Sequence, residues 1–169
     1  MTRQEITEFY REHHRRLYNI SLRILRDSDE AEEVMQDTIL KFVSSEGTFS
    51  SSAQVSAWLA RTCIRASIDR LRRRHREEAF LEDYAIAEGD SPAVPEPVEG
   101  QPTDDETPSI SRVRETMDRM PEPYRLVLYL VLIEGLDYGE IAEMTGRKQT
   151  TLRSIYSRGL DKLREMLRS

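Results

Sequence analysis

The apolar positions in the first half of the chain recur at intervals of three and four residues, which is the spacing of one face of an α-helix. The first such stripe comprises Ile6, Phe9, Tyr10, His13, Leu17, Ile20 and Ile24, and the second comprises Ala31, Val34, Met35, Thr38, Ile39 and Phe42. Asp27 or Ser28 is expected to cap the second helix. No stretch alternates between apolar and polar residues as a strand would. The pattern predicts an all-α fold.

A third helix is predicted after the serine- and glycine-rich loop 44–52, with Trp58 on its apolar face. Its second half is basic, because residues 61–76 hold one acid, Asp69, and seven arginines: Arg61, Arg65, Arg70, Arg72, Arg73, Arg74 and Arg76. Such a helix can neutralise phosphates, and Trp58 offers a ring face to an unstacked base. The alternative is a solvated helix end, since most charge runs simply face water.

The C-terminal part of the chain has the pattern of a helix-turn-helix. The apolar block 126–133 is expected to form a buried helix, because it is too short to span a bilayer. Asp137 and Glu140 have capping-box spacing, and Gly146 can end that helix in the left-handed conformation. The next helix packs through Leu152, Tyr156, Leu160, Leu163 and Leu167, and its N-terminal end carries Lys148, Gln149, Thr150, Thr151, Arg153 and Ser154. This arrangement predicts contact with base edges of duplex DNA.

Charge is distributed unevenly along the chain of 169 residues, whose net charge is −6. Residues 1–76 carry 14 basic and 11 acidic side chains, residues 109–169 carry 11 and 9, and residues 77–108 carry none and 11. The connector 77–108 also holds five of the seven prolines. We therefore predict two mildly basic helical modules joined by an acidic, extended linker, with a short helix or docking segment within residues 80–86.

The remaining chemistry predicts neither an enzyme nor a cofactor or metal site. His13 and His14 are adjacent and point about 100° apart on a helix, and His75 lies among arginines, which repel cations. Cys63 is the single cysteine and is expected to pack in the core. No phosphate-binding loop or nucleophile motif occurs. The N-terminus lacks the apolar segment of a signal peptide, so the expected location is cytoplasmic and without membrane insertion.

Taken in order, these segments resemble the extracytoplasmic-function (ECF) class of bacterial RNA polymerase sigma factors. Residues 29–42 look like the polymerase-binding helix of region 2, and residues 57–61 with 69–74 look like its promoter-melting helix. Residues 120–143 and 151–154 are similar to region 4. The resemblance implies a region 2 helical bundle over residues 1–76 and a region 4 helix-turn-helix over residues 109–169.

The resemblance also implies partners and roles for individual residues. Core RNA polymerase would bind Glu33, Gln36, Asp37 and Lys41. The melted minus-ten strand would contact loop 47–52 and Trp58, Arg61, Arg65, Arg70, Arg72 and Arg73. The minus-thirty-five element of promoter DNA would contact Lys148, Gln149, Thr150, Thr151, Arg153, Ser154 and Arg158. An anti-sigma factor is the expected regulator.

Several positions depart from the family pattern, so promoter preference does not transfer. Arg65 replaces the usual Asn, Thr62 a usual aliphatic residue, Val55 the usual Phe, and Ile155 the usual Arg. Two other functions fit parts of the sequence. One is a helix-turn-helix regulator that acts without core polymerase, and the other is an adaptor whose acidic connector mimics nucleic acid. The second leaves the arginine-rich helix unexplained.

Overall fold

The computed structural model describes residues 1–82 and 108–168, and within them the side chains of residues 1–76 and 110–168. Their regular secondary structure is entirely helical and they contain no strand, which confirms the predicted all-α class. They form two compact units, one on either side of the undescribed stretch. The predicted connector 77–108 is shorter than expected, because residues 77–82 continue the helix Ser52–Glu82 and Pro108 begins the next helix. Its remaining residues, 83–107, lie outside the described residues, as does most of the segment 80–86. The domain boundaries at residues 76 and 108 stay a prediction.

Three helices build the N-terminal unit: α1 (Arg3–Leu25), α2 (Ser28–Ser44) and α3 (Ser52–Glu82). A capping box starts α1, in which the Glu5 amide donates to Thr2 Oγ1 and the Thr2 amide donates to Glu5 Oε2. The Thr2 amide also lowers the pKa of Glu5, because it stabilises the charged carboxylate. The Thr2–Glu5 pair therefore fixes the start of α1 locally.

The turn between α1 and α2 consists of two residues, one with a left-handed and one with an extended backbone. Arg26 ends α1 in the left-handed region, with φ 55° and ψ 32°, and its amide donates to the Leu22 carbonyl. Asp27 is extended and accepts a hydrogen bond from the Glu30 amide over 3.0 Å. Asp27, rather than Ser28, is thus the N-cap of α2. This tight link lets α1 and α2 pack against each other directly.

The predicted apolar stripes meet in one core between the three helices. Tyr10 of the first stripe is the exception, because it is 36% exposed and stacks on the His14 ring of the same helix. The most buried members of the core include Leu17, Ile24 and Leu25 of α1, Ala31 and Val34 of α2, and Leu59, Cys63, Ile64 and Ile68 of α3. Polar groups inside this core are paired: the Cys63 thiol donates to the Leu17 carbonyl, and Ser67 Oγ lies 2.9 Å from Ser21 Oγ. Cys63 is therefore a packing residue, as expected.

The C-terminal unit contains α4 (Pro108–Asp118), α5 (Glu122–Leu128), α6 (Tyr138–Thr145) and α7 (Gln149–Arg168). A π-helical segment, Tyr129–Ile133, continues α5. Asp137 caps α6 by accepting from the Glu140 amide, and Gly146 ends it at φ 73°. The stop at Gly146 and the Asp137 half of the predicted capping box are therefore confirmed. Gly159 lets α7 approach α5 closely, because a Cβ there would lie 3.3 Å from Leu128 side-chain atoms.

The apolar block 126–133 differs in two ways from the single buried helix predicted for it. It crosses from α5 into the π-helical segment, and Leu132 is 46% exposed although Leu128 and Leu130 are fully buried. Eight consecutive apolar residues point to every side of a helix, but the neighbouring helices of the unit cover only part of its circumference. Leu132 therefore stays exposed. The turn after it closes through a hydrogen bond from the Leu136 amide to the Leu130 carbonyl.

Candidate nucleic-acid interface

The N-terminal end of α7 combines exposed polar side chains with a firm attachment to the rest of the unit. All the predicted minus-thirty-five residues are exposed: Lys148, Gln149, Thr150, Thr151, Arg153, Ser154 and Arg158. Leu152 lies among them and is fully buried, as is Leu163 three turns further along. The helix therefore presents one face to solvent while Leu152 fixes its first turn on the unit.

The position of Arg153 is defined by aromatic contacts. Its guanidinium carbon lies 5.6 Å from the centre of the Tyr138 ring on α6, a cation–π geometry. The Tyr156 ring on α7 meets Tyr138 edge-on, with ring centres 6.0 Å apart and an interplanar angle of 75°. Sequence reasoning assigned Tyr156 to packing and missed Tyr138. The only available signal was an aromatic residue directly after a helix cap.

The arginines of α3 fall into two sets with different surroundings. Arg61, Arg65, Arg72, Arg73 and Arg76 are exposed, as a phosphate-binding role requires. Arg70 and Arg74 instead reach across to the neighbouring helices. Arg70 Nη1 lies 2.6 Å from Glu33 Oε2, and Arg70 Nη2 lies 3.7 Å from Asp37 Oδ2. Arg74 donates to the Leu25 carbonyl over 2.8 Å and pairs with Glu30.

Trp58 is half-buried in an aromatic cluster made of Phe9, His13, Phe42, Phe49 and Trp58. Phe42 and Phe49 meet its ring edge-on, with centres 5.7 Å and 6.0 Å away. Phe49 belongs to the serine-rich loop, which is also held by a hydrogen bond from the Ser50 amide to Gln54 Oε1. The cluster thus ties the loop to α2 and α3. The loop anchor Phe49 was not singled out from the sequence.

The same cluster lowers the pKa of His13. Burial disfavours its charged form and outweighs the opposing effect of the Glu12 carboxylate, whose Oε2 lies 3.8 Å from His13 Nε2. The Phe9 ring, 4.5 Å away, contributes to that burial. Within residues 1–82 and 108–168, no three His, Cys, Asp or Glu side chains are grouped closely enough to hold a metal ion.

The exposed face of α2 carries the residues predicted to bind polymerase. Glu33, Gln36, Asp37 and Lys41 are all exposed along one side of the helix. Leu40 lies next to them and is 62% exposed. Sequence reasoning missed Leu40, although its position outside the i, i+3, i+4 stripe of α2 was a usable signal. The result is a mixed polar and apolar surface of the kind that protein interfaces use.

Comparison with known proteins accounts for both units. Residues 9–77 match Sigma-70 region 2, and residues 110–163 match Sigma-70, region 4. The ECF RNA polymerase sigma factor SigM of Mycobacterium tuberculosis is 29% identical, with 98% of this chain and 78% of SigM covered. The ECF RNA polymerase sigma factor SigW of Bacillus subtilis is 25% identical, with 97% and 88% covered. The chain belongs to the ECF sigma factors.

This sigma factor therefore binds core RNA polymerase and directs promoter recognition and transcription initiation. The alternative of a helix-turn-helix regulator acting without polymerase is not favoured, because region 2 accounts for the N-terminal unit. The solved structure of the sigma factor RpoE from Bartonella quintana, bound to the anti-sigma factor NepR, is 20% identical and supports the fold. Its TM-score is 0.56, with 98% of each chain covered.

Two further properties follow from the sigma factor's family and helices. Sigma factors are generally regulators without enzymatic activity. Among the helices that the structure describes, none is both long and apolar enough to cross a membrane.

Proposed function

We propose that the N-terminal end of α7 reads the minus-thirty-five promoter element. Arg153 and Gln149 contact base edges in the major groove in this proposal, and Lys148 and the neighbouring hydroxyls contact phosphates. The observation that carries the proposal is the alternation at this helix end, where Leu152 is fully buried while Thr151 and Arg153 on either side are exposed. The positive end of the α7 dipole adds to the attraction for phosphate.

The N-terminal unit supplies the other two contacts of initiation in this proposal. The exposed face of α2, with Glu33, Gln36, Asp37 and Lys41, docks on core RNA polymerase. The melted minus-ten strand lies against the serine-rich loop and α3, where Arg61, Arg65, Arg72 and Arg73 are exposed and Trp58 is half-buried. Trp58 acts mainly by holding the loop, because its ring already contacts Phe42 and Phe49. Arg70 contributes from a position beside Glu33.

The proposal extends to regulation and location. An anti-sigma factor holds this protein inactive, as the complex of the Bartonella quintana sigma factor with NepR suggests by analogy. The protein works in the cytoplasm, where bacterial RNA polymerase is found, and it has no catalytic activity of its own. Catalysis of RNA synthesis belongs to the polymerase that it directs.

Run-off transcription with bacterial core RNA polymerase and a promoter library tests the proposal. Initiation that depends on the protein yields its two recognition elements, and each base of the minus-thirty-five element is then substituted in turn. Arg153→Ala is expected to lose about 1–3 kcal/mol of discrimination at one base position. Arg164→Ala is the matched control, because Arg164 is an exposed arginine near the other end of α7. A uniform loss across all sequences would reassign Arg153 to a phosphate.

Charge reversal on α2 tests the polymerase-binding assignment independently of the minus-thirty-five assignment. Asp37→Arg is expected to weaken binding of core RNA polymerase, whereas Glu8→Arg, a reversal at an exposed position on α1, is expected to preserve it. Helical circular dichroism of both variants should match the parent protein. Equal binding by the Asp37 and Glu8 variants would exclude Asp37 from the docking surface.

A further inference from the structure

An aromatic ring on α6 supports the N-terminal end of α7, the end that we propose reads DNA. The family assignment does not explain this contact. Tyr138 is the first residue of α6, directly after the cap Asp137, whose carboxylate accepts from the Glu140 amide over 2.8 Å. The capped turn places the half-buried Tyr138 ring beside α7, where the guanidinium carbon of Arg153 lies 5.6 Å from the ring centre. Arg153 is exposed on its other sides.

The Tyr138 ring is itself held in place from α7. Tyr156 follows Arg153 by three residues, so the two side chains lie on neighbouring positions of one helical face. The Tyr156 ring meets Tyr138 edge-on at 6.0 Å and 75°. Tyr138 therefore contacts α7 at two residues, Arg153 and Tyr156, and the packing between α6 and α7 determines the orientation of its ring.

A supported arginine has an advantage over a free one when it reads a base. A long exposed side chain samples many rotamers, and ordering it on the DNA costs conformational entropy. A ring that holds the guanidinium removes part of that cost before binding. A cation–π contact at an exposed site corresponds to about two- to fivefold in an equilibrium constant.

We propose that Tyr138 is a positioning residue for promoter discrimination, acting by holding the Arg153 guanidinium against its ring. The inference rests on the proposed role of Arg153 in reading the minus-thirty-five element. It adds a specificity-determining residue on α6, outside the helix that enters the groove. The ring alone is required, and the phenolic hydroxyl is not.

The test uses holoenzyme assembled from core RNA polymerase and the full chain, on promoters with each minus-thirty-five base substituted. Tyr138→Leu is expected to reduce discrimination at the base position that Arg153 reads by about two- to fivefold. Tyr138→Phe keeps the ring and is expected to match the parent protein. In the Arg153→Ala background, Tyr138→Leu is expected to add no further loss. Tyr156→Leu is expected to give a smaller loss at the same base position.

Four results would overturn the inference. A loss from Tyr138→Leu that persists at full size in the Arg153→Ala background would mean that the tyrosine acts on helix packing. An equal loss from Tyr138→Phe would assign the effect to the hydroxyl. Unchanged discrimination in Tyr138→Leu, with a clear loss in Arg153→Ala, would refute the role of Tyr138 and leave the proposed function intact. Unchanged discrimination in Arg153→Ala itself would refute the base-reading role of Arg153 and the inference with it.

Discussion

Arg70 of α3 places its guanidinium Nη1 2.6 Å from Oε2 of Glu33 on α2. Its Nη2 also lies 3.7 Å from a carboxylate oxygen of Asp37, one turn further along the same helix. The contact connects an arginine predicted to bind the minus-ten strand with two acids predicted to bind polymerase. The proposed minus-ten surface and the proposed polymerase-binding surface of the N-terminal unit are therefore linked through the ion pairs of Arg70. A substitution at Arg70, Glu33 or Asp37 affects both surfaces.

The Arg70–Glu33 pair is expected to contribute modestly to stability. The Arg70 side chain is 25% exposed and that of Glu33 is 63% exposed, so water screens much of the attraction. A double-mutant cycle with Glu33→Ala and Arg70→Ala should give a coupling energy of about 0.2–1 kcal/mol at low salt. Urea unfolding followed by fluorescence measures it in the N-terminal unit, because Trp58 is the single tryptophan.

High salt supplies the control for this cycle. In about 1 M salt the Debye length falls to about 3 Å, and the coupling energy should shrink accordingly. A coupling that is absent at low salt would show that the pair contributes nothing to stability. A coupling that is insensitive to salt would indicate a packing contact rather than an electrostatic one.

The buried serine pair between α1 and α3 should show strong non-additivity. Ser67 Oγ lies 2.9 Å from Ser21 Oγ and 2.8 Å from the Cys63 carbonyl, and both serines are fully buried. Ser67→Ala leaves the Ser21 hydroxyl without this partner, which should cost about 1–3 kcal/mol of unfolding free energy. Ser21→Ala made in the Ser67→Ala background should cost much less than in the parent. Purely additive losses in urea unfolding would contradict the pairing.

The left-handed backbone at Arg26 predicts a stabilising substitution. Arg26 has φ 55°, and it is the one non-glycine residue with positive φ among those that the structure describes. Because the left-handed conformation costs an L-residue roughly 1–2 kcal/mol, Arg26→Gly should raise the free energy of unfolding, offset in part by about 0.5–1 kcal/mol from the more flexible unfolded chain. Trp58 fluorescence during urea unfolding measures the change.

At Gly146 in the C-terminal unit a glycine already occupies a left-handed position, so the opposite substitution, to alanine, is the matched test. Gly146 ends α6 at φ 73°, so Gly146→Ala should destabilise the turn before α7. Hydrogen exchange of the α6 and α7 amides measures this locally. A stabilising alanine at position 146, or an Arg26→Gly variant less stable than the parent, would contradict the assigned cap geometry.

Burial of His13 makes the stability of the N-terminal unit depend on pH. Its pKa lies below the ordinary value of 6.5 in the folded state, so the unfolded state binds more protons as the pH falls. The stability that comes from burying His13 in its neutral form is fully present above the pKa of the unfolded state. It is lost as the pH falls from about 6.5 towards the lower pKa of the folded state. Unfolding free energies measured from about pH 7 to about pH 5.5 should therefore decrease.

His13→Gln supplies the comparison for this pH dependence. The variant removes the titrating ring, so its unfolding free energy should vary less over the same pH range than that of the parent protein. The two proteins are compared by the slope of unfolding free energy against pH, because the substitution also perturbs the contact with Phe9 and shifts stability at every pH. Identical slopes for the two proteins would rule out His13 as the source.

Local sequence determined most helices and several of their ends, because the forces involved act within one or two turns. The three- and four-residue spacing of apolar positions located α1 and α2, and short-range chemistry placed a cap at Asp27 or Ser28 and the stop at Gly146. The resemblance to sigma factors could also be read directly, because it rests on the order of such segments. These features require no knowledge of which helices touch.

Tertiary structure decided which side chains meet. Arg70 and Glu33 are 37 positions apart in sequence, and only the packing of α2 against α3 brings them together. The same holds for Trp58 with Phe42, Arg153 with Tyr138, and the partial exposure of Leu132. A charge or an aromatic ring looks the same in sequence whether it faces water or a neighbouring helix. Helix packing selects between these outcomes, because it alone determines which groups are desolvated and paired.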